Sequence, residues 1–274
     1  MGEAGERFFC SFQLISMTLT IKKDDSSILI LPDSSELSNQ IQTNWFEPGY
    51  WRQQSKISGE SKGRHTTWFI KSGITSYSQN QQWVLRHYYR GGLVAKFITD
   101  RFLFTGIKNT RAYREALLLK TMKSLDLPVP NVIGAQVFRK GLFYSADLLM
   151  EKLAASDLVT LIKTKQLSKR SWNKVGEVIG QFHTNGIYHA DLNSHNIMIQ
   201  EEAENTNVWL IDFDKCKQRK SKKSAKNSWQ SKNMDRLYRS LMKEKNIFPA
   251  INFDQNNWLE LVRGYNSEMI NESY

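Results

Sequence analysis

His189-Ala190-Asp191-Leu192-Asn193-Ser194-His195-Asn196 is followed by the apolar run Ile197-Met198-Ile199, an acidic and Asn-rich turn, the run Val208-Trp209-Leu210-Ile211, and then Asp212-Phe213-Asp214. Both runs are short and apolar, as buried strands are, and the turn between them makes a hairpin. One hairpin end therefore receives the 189–196 loop, and the other releases Asp212 beside it. Asp191 and Asn196, five residues apart in that loop, and Asp212 at the neighbouring strand end supply hard oxygen donors to one place. Oxygen donors of this kind suit magnesium, and a carboxylate next to them can orient an acceptor hydroxyl for phosphoryl transfer. His189 also reads as a residue that packs and orients the loop without reacting.

Outward from that segment the periodicities divide the chain. Val175, Val178, Ile179 and Phe182 mark one face of a helix ended by Asn185-Gly186. Two more helical faces, Met234/Leu237/Tyr238/Leu241 and Trp258/Leu259/Val262, come after it. Before residue 154 strands dominate: 66–70, 82–88, and the pair 135–139 and 142–153 joined by Lys140-Gly141. One helix at 111–125 carries Ala112, Ala116, Leu119 and Met122, and Leu127-Pro128-Val129-Pro130 stops it. Residues 59–64 read as a flexible turn. These elements predict an α+β, bilobal architecture, with an antiparallel-sheet N-lobe at 45–153 and a mainly helical C-lobe at 154–274, joined near 151–155. Residues 1–44 read as a poorly defined N-terminal extension, with 28–31 β-like and Met17 an alternative start.

The order of these segments resembles the kinase fold, whose pattern is H-x-D-x-x-x-x-N followed by D-F-x. The resemblance makes Asp191 the catalytic carboxylate, gives Asn196 and Asp212 to Mg²⁺, and implies ATP as phosphoryl donor. Val84 and Arg86 share a strand face and take the places of A-x-K, so Arg86 is the phosphate-facing cation and Glu115 on the next helix its partner. Gly63 would cover the phosphates, although His65 stands where another glycine would help. Met150 and Glu151, between the lobes, would edge the adenine. Ala190, Asn193 and Asp214 each depart from the protein-kinase text, and no A-P-E follows them. A small-molecule phosphotransferase tolerates all three changes.

Six segments then make the resemblance narrower: Gly63-Arg64-x-Thr66-Thr67-Trp68-Phe69, the run from Val84 to Val94, Leu127-Pro128-Val129-Pro130, Gly141-Leu142-Phe143-Tyr144-x-Ala146-Asp147-Leu148-Leu149, and the two quoted at the outset. Together they are similar to the 3-deoxy-D-manno-octulosonic acid (Kdo) kinase family, in the lipopolysaccharide-kinase group of Gram-negative bacteria, over about residues 45–245. That resemblance implies ATP-dependent phosphorylation of the 4-hydroxyl of Kdo on Kdo-lipid IVA, a lipid A precursor, by a peripheral protein on the cytoplasmic side of the inner membrane. A heptose kinase of the lipopolysaccharide core shares the fold and chemistry and stays open as an alternative. So does a non-catalytic kinase-like basic binding module, which would not need Asp191, Asn196 and Asp212 together.

Composition agrees with an anionic partner. The 274 residues carry 38 Lys and Arg against 27 Asp and Glu, a net charge of +11. At 40% hydrophobic residues the chain is neither disordered nor fibrous. Cys10 and Cys216 form no ligand spacing, so a disulfide framework or zinc site is not expected. The apolar segment 8–21 is broken by polar residues and is a poor signal peptide. Arg90, Lys96, Arg101 and Lys108, interleaved with aromatics, are the expected contacts with acceptor lipid or the anionic inner-membrane surface. The same basic sector holds Arg86, Arg111 and Arg114, and a second basic run at 215–226 reads equally well as a solvated segment. No nucleic-acid motif is present, and neither nucleic acid nor an obligate protein is an expected partner.

Overall fold

Strand-forming runs in the first half of the chain pair into one antiparallel sheet. The computed structural model describes residues 18–24, 26–33, 35–62, 66–72, 82–90, 100–202, 205–219 and 228–271. The strands are β1 (Thr20–Asp24), β2 (Ser27–Leu31), β3 (Ile57–Lys62), β4 (Thr66–Lys71), β5 (Gln82–His87), β6 (Phe102–Leu103), β7 (Val132–Lys140) and β8 (Phe143–Glu151). They lie in the order β1-β2-β7-β8-β5-β4-β3, and β6 pairs with the start of β8. Between them come α1 (Glu36–Gln40), a 3-10 turn at Thr43–Phe46, α2 (Pro48–Gln53) and α3 (Arg111–Ser124).

Strand alternation sends side chains to two faces. On one face Ala135, Val137, Ala146 and Leu148 pack against Ala112, Ala116, Leu119 and Met122 of α3, the stripe expected from the sequence. On the other, Ile70, Leu85, Ile133 and Leu149 meet Ile41, Trp45, Phe46 and Trp51. Trp51 Nε1–H donates to Trp45 O at 2.7 Å, and the Trp45 and Trp83 rings are 5.4 Å apart. Two expectations are corrected here. The stretch taken for an extension supplies β1, β2 and α1, because Leu29 and Leu31 find their apolar partners in the 41–51 aromatic cluster. Residues 59–62 are not a turn. They pair with β4, with a shift of register between Ile57 and Gly59.

The chain leaves the large sheet at Glu151 and enters a small one at β9 (Ser156–Asp157), which pairs with β11 (Ile197–Glu201) and through it β12 (Thr206–Leu210). The remaining elements are α4 (Leu158–Thr164), α5 (Lys169–Thr184), β10 (Ile187–Tyr188), β13 (Lys217–Gln218), α6 (Trp229–Ile247) and α7 (Gln255–Asn271). Val175, Val178, Ile179 and Phe182 of α5 are all buried. Helices α5 and α7 approach so closely that a Cβ on Gly176 would lie 1.8 Å from Leu261 O. At the end of α5, Gly186 takes φ +74°, the left-handed conformation expected of a helix-terminating glycine.

Candidate active site

The 189–196 loop joins β10 to β11, and Asp212 follows β12, so the hairpin brings the two segments together. Ile211 N–H donates to Asn196 O at 3.0 Å, which places Asn196 beside Asp212. Asn196 Nδ2 donates to Asp191 O at 2.9 Å. Its Oδ1 is left for another partner. Asp212 has φ +63°, a strained conformation for a residue with a side chain, of the kind that collects at functional sites. Phe213 fixes it from behind, stacked on Phe182 at 5.7 Å and against His189 at 5.0 Å.

His189 is buried. It holds Ile211 O through Nε2 at 3.0 Å and receives the Asp191 N–H at Nδ1, 3.2 Å away. Those contacts require the proton on Nε2 and a neutral ring. Burial pushes the His189 imidazole below its ordinary value, which keeps it so. His189 thus orients the loop.

Arg86 of β5 joins the lobes. Its Nη1 donates to Asp212 Oδ1 at 2.6 Å and its Nη2 to Glu115 Oε2 at 2.5 Å. Tyr88 Oη donates to the same Glu115 oxygen at 2.7 Å. Burial opposes the charge on Arg86, but Glu115, Tyr88 and Asp212 around it hold its pKa well above the ordinary value. Burial pushes the Glu115 carboxyl up while Arg86 pulls it back. At Asp212 burial also raises the pKa, and the Arg86 charge and hydrogen bond outweigh it, leaving a carboxyl below the usual range. Asp212 therefore stays an anion, and its side chain is 44% exposed. The Asp212 carboxylate and Asn196 Oδ1 have the chemistry to hold a hard divalent cation. Among the described residues no group of three His, Cys, Asp or Glu would hold a metal unaided, so a cation here would take further ligands from a bound nucleotide's phosphates.

Several residues that hold the site carry no local sign in the sequence. Arg236 Nη1 donates to Asp191 Oδ1 at 2.8 Å. Asn233 clamps the His189 backbone, its Oδ1 accepting His189 N–H at 3.2 Å and its Nδ2 donating to His189 O at 3.0 Å. Ser240 meets Ser194 at 2.8 Å, and Glu244 accepts from His195 Nε2 at 3.2 Å. These four lie three or four residues apart along α6, so one helix face holds the loop from His189 to His195. The sequence showed only the apolar stripe of α6, since a polar face looks solvated. Asp214, noted in the sequence only as a departure, is gripped by both Arg111 Nε (2.8 Å) and Nη2.

Other expected positions lie apart from this centre. Met150 is buried at the end of β8, and Glu151 there accepts from Asn131 Nδ2 at 2.7 Å. Gly63 and Lys96 lie outside the described residues, as do residues 220–227 of the second basic run. Arg90 donates through Nε to Arg101 O and lies over the Phe102 ring, while Lys108 is exposed. The basic sector is smaller than its text suggests, because Arg86 and Arg111 are committed to carboxylates.

With this geometry in place, the comparisons are consistent among themselves. The profile of the "Lipopolysaccharide kinase (Kdo/WaaP) family" matches residues 49–265. A 3-deoxy-D-manno-octulosonic acid kinase of Actinobacillus succinogenes is 40% identical over 228 residues, covering 82% of this chain and 91% of the relative. One from Vibrio vulnificus is 41% identical over 225 residues, covering 81% and 89%. Among solved structures, WaaP in complex with acyl carrier protein aligns with a TM-score of 0.53 over 87% of this chain and 88% of that one. At 12% identity it shows a shared kinase-like fold.

Proposed function

The chain belongs to the lipopolysaccharide kinase (Kdo/WaaP) family, and from that membership and the site geometry we propose that it phosphorylates Kdo with ATP, at the 4-hydroxyl of Kdo on a lipid A precursor. It is a phosphotransferase, and the Actinobacillus and Vibrio relatives bear the name of a Kdo kinase. The observation that carries the reading is the Arg86 fork, which ties β5 and α3 of the N-lobe to Asp212 of the C-lobe and so assembles a cleft between them.

In that cleft Asp191 is the group for the acceptor. Arg236 holds Oδ1, which leaves Oδ2 to take the hydrogen bond of the sugar hydroxyl, and its proton late in transfer. Asn196 fixes the loop carbonyl next to it. Asp212 and Asn196 Oδ1 would hold Mg²⁺, which supplies neutralisation of phosphate charge when bound. Met150 and Glu151 at the lobe junction would border the adenine. Acceptors of this kind sit in an anionic leaflet, so we place the enzyme on the cytoplasmic face of the inner membrane as a peripheral protein. A net charge of +11 supports that, and no helix among the described residues is long and apolar enough to cross a membrane.

The test is transfer of phosphate from Mg²⁺-ATP to Kdo-bearing lipid A precursor and to the same precursor without Kdo. One phosphate added only to the Kdo-bearing acceptor, and lost in Asp191→Asn by about a thousandfold or more at unchanged thermal stability, is the expected result. Near-normal turnover in that variant would remove Asp191 from the chemistry.

A further inference from the structure

The sheet face that packs against the 41–51 aromatic cluster is covered over only part of its length. Toward the β7–β8 turn no described residue covers it. Opposed residues on antiparallel strands point to one face, so the pairs Phe138↔Ser145, Lys140↔Phe143 and Leu103↔Phe143 share it. Leu142 occupies the turn itself and its carbonyl accepts Phe104 N–H at 2.9 Å. Leu142 is 69% exposed, Leu103 59%, Phe138 44% and Phe143 40%. Among the described residues these are half of the large apolar side chains left in water, and they are gathered on one end of one sheet. Contiguous apolar exposure of that kind marks a contact surface.

Its rim is cationic. Lys140 lies on the same face, Arg139 and Lys23 point to the other face at the same end of the sheet, and Arg101 and Lys108 stand in the segments flanking β6, all exposed. Asp24 lies at the β1–β2 turn, and Asp100 and Asp147 both face His87. Arg139 spans the corner: its N–H donates to Ser26 O at 2.8 Å and its guanidinium lies 4.6 Å from the Phe104 ring centre. On that other face a groove of about 650 Å³ runs between Arg139, Lys23, Ile28, Phe104 and Ile107, lined by both apolar and cationic side chains.

We propose that this end of the N-lobe sheet is the surface on which the protein docks to an anionic lipid leaflet. The inference rests on the acceptor being membrane-borne, and names the part of the molecule that reaches it. Leu142, Phe143 and Leu103 enter the headgroup–acyl boundary. Arg139, Lys140 and Lys23 meet lipid phosphates, as basic residues flanking an interfacial apolar element do. An acidic or uncharged partner face would satisfy only half of this texture, and a leaflet satisfies both halves. The patch lies on the sheet face opposite the site and is tied to it along β8. Tyr144, next to Phe143, accepts the Arg111 N–H at 3.1 Å through Oη, and Arg111 holds Asp214, two residues after Asp212.

The test is sedimentation of the full chain, without acceptor or nucleotide, with vesicles of phosphatidylethanolamine and phosphatidylglycerol and with phosphatidylcholine vesicles. Two variants are compared, Leu142→Asp/Phe143→Asp and Arg139→Glu/Lys140→Glu, each checked by thermal melting. Wild type is expected to partition to the anionic vesicles, and each variant about tenfold or more weakly. Turnover on a deacylated, water-soluble Kdo acceptor should match wild type in both, while turnover on vesicle-embedded acceptor falls. Unchanged partition in folded variants overturns the proposal and moves docking elsewhere, the second basic run included. Concentration-dependent dimerisation that the variants abolish, with partition unaltered, would give the surface to a second copy and overturn it as well. If wild type binds anionic vesicles through this surface but phosphorylates no Kdo acceptor, the docking stands and the proposed activity fails.

Discussion

Replacing Arg86 by methionine removes the cation of a buried pair while keeping most of its volume. Glu115 is 3% exposed, and it would keep only the Tyr88 hydroxyl. A buried carboxylate that loses its counter-charge costs roughly 3–5 kcal/mol if it stays ionised. Glu115 has an exit, because it can take a proton. From the 4.5 of an ordinary glutamate to pH 7 is about 2.5 pH units, so protonation limits the loss to about 3.4 kcal/mol. At pH 5.5 the same limit is about 1.4 kcal/mol. Asp212 adds little, since half-exposure lets water solvate it. Arg86→Met should therefore be least stable relative to wild type at neutral pH, and the gap should close by about 2 kcal/mol on acidification to pH 5.5. Urea unfolding at both pH values measures it. Adding Glu115→Gln should recover most of the loss at pH 7 and flatten the pH dependence, as Tyr88 can donate to the amide oxygen. A loss equal at both pH values, or no recovery in the double variant, would refute the reasoning.

Three further outcomes follow from single contacts. Asn233→Ala leaves the buried N–H and C=O of His189 unpaired and should cost about 2–4 kcal/mol in urea unfolding, with loss of transfer activity. Arg236→Ala breaks a half-exposed pair, so stability should change by less than about 0.5 kcal/mol while kcat drops about tenfold to a hundredfold, with partial rescue by Arg236→Lys. Burial pushes the His183 imidazole down from 6.5 to about 3, so the unfolded chain binds its proton first and stability falls as pH drops below about 6.5. Between pH 6.5 and 5 this amounts to about 2 kcal/mol, and this share of the slope should be lost in His183→Gln, leaving the share of the same sign that comes from His189. Comparing the two proteins matters because His87, half-buried and held above its ordinary value by Asp147 and Asp100, pulls stability the other way over the same range.

What could be read from the sequence was whatever one local pattern specifies. The α3 stripe, the α5 face, the β7–β8 hairpin and the carboxylates around the 189–196 loop each declare themselves within a dozen residues. Residues 20–44 did not, because their strands are short and their apolar partners, Trp45 and Trp51, come later in the chain. Strand β3 was hidden by its glycine and polar residues, which lie at a sheet edge where little needs burying. The polar face of α6 was invisible for a different reason. Asn233, Arg236 and Ser240 matter through loop atoms more than forty residues away, and no spacing in α6 itself announces such a partner.

Those long-range contacts also account for the departures from protein-kinase text. In that text an arginine beside the catalytic Asp waits for a phosphorylated loop. Here Ala190 takes that place, and its N–H donates to Cys216 Sγ at 3.2 Å, tying the catalytic loop to the segment after Asp212. The charge the missing arginine would supply comes from Arg236, on a helix, directly to Asp191. Where a glycine would let the segment swing, Asp214 is instead clamped by Arg111 at the start of α3. Arg86 then ties the same helix, through Glu115, to Asp212. Among the described residues the charges that hold the site assembled come from Arg86, Arg111 and Arg236, on three different elements of the fold.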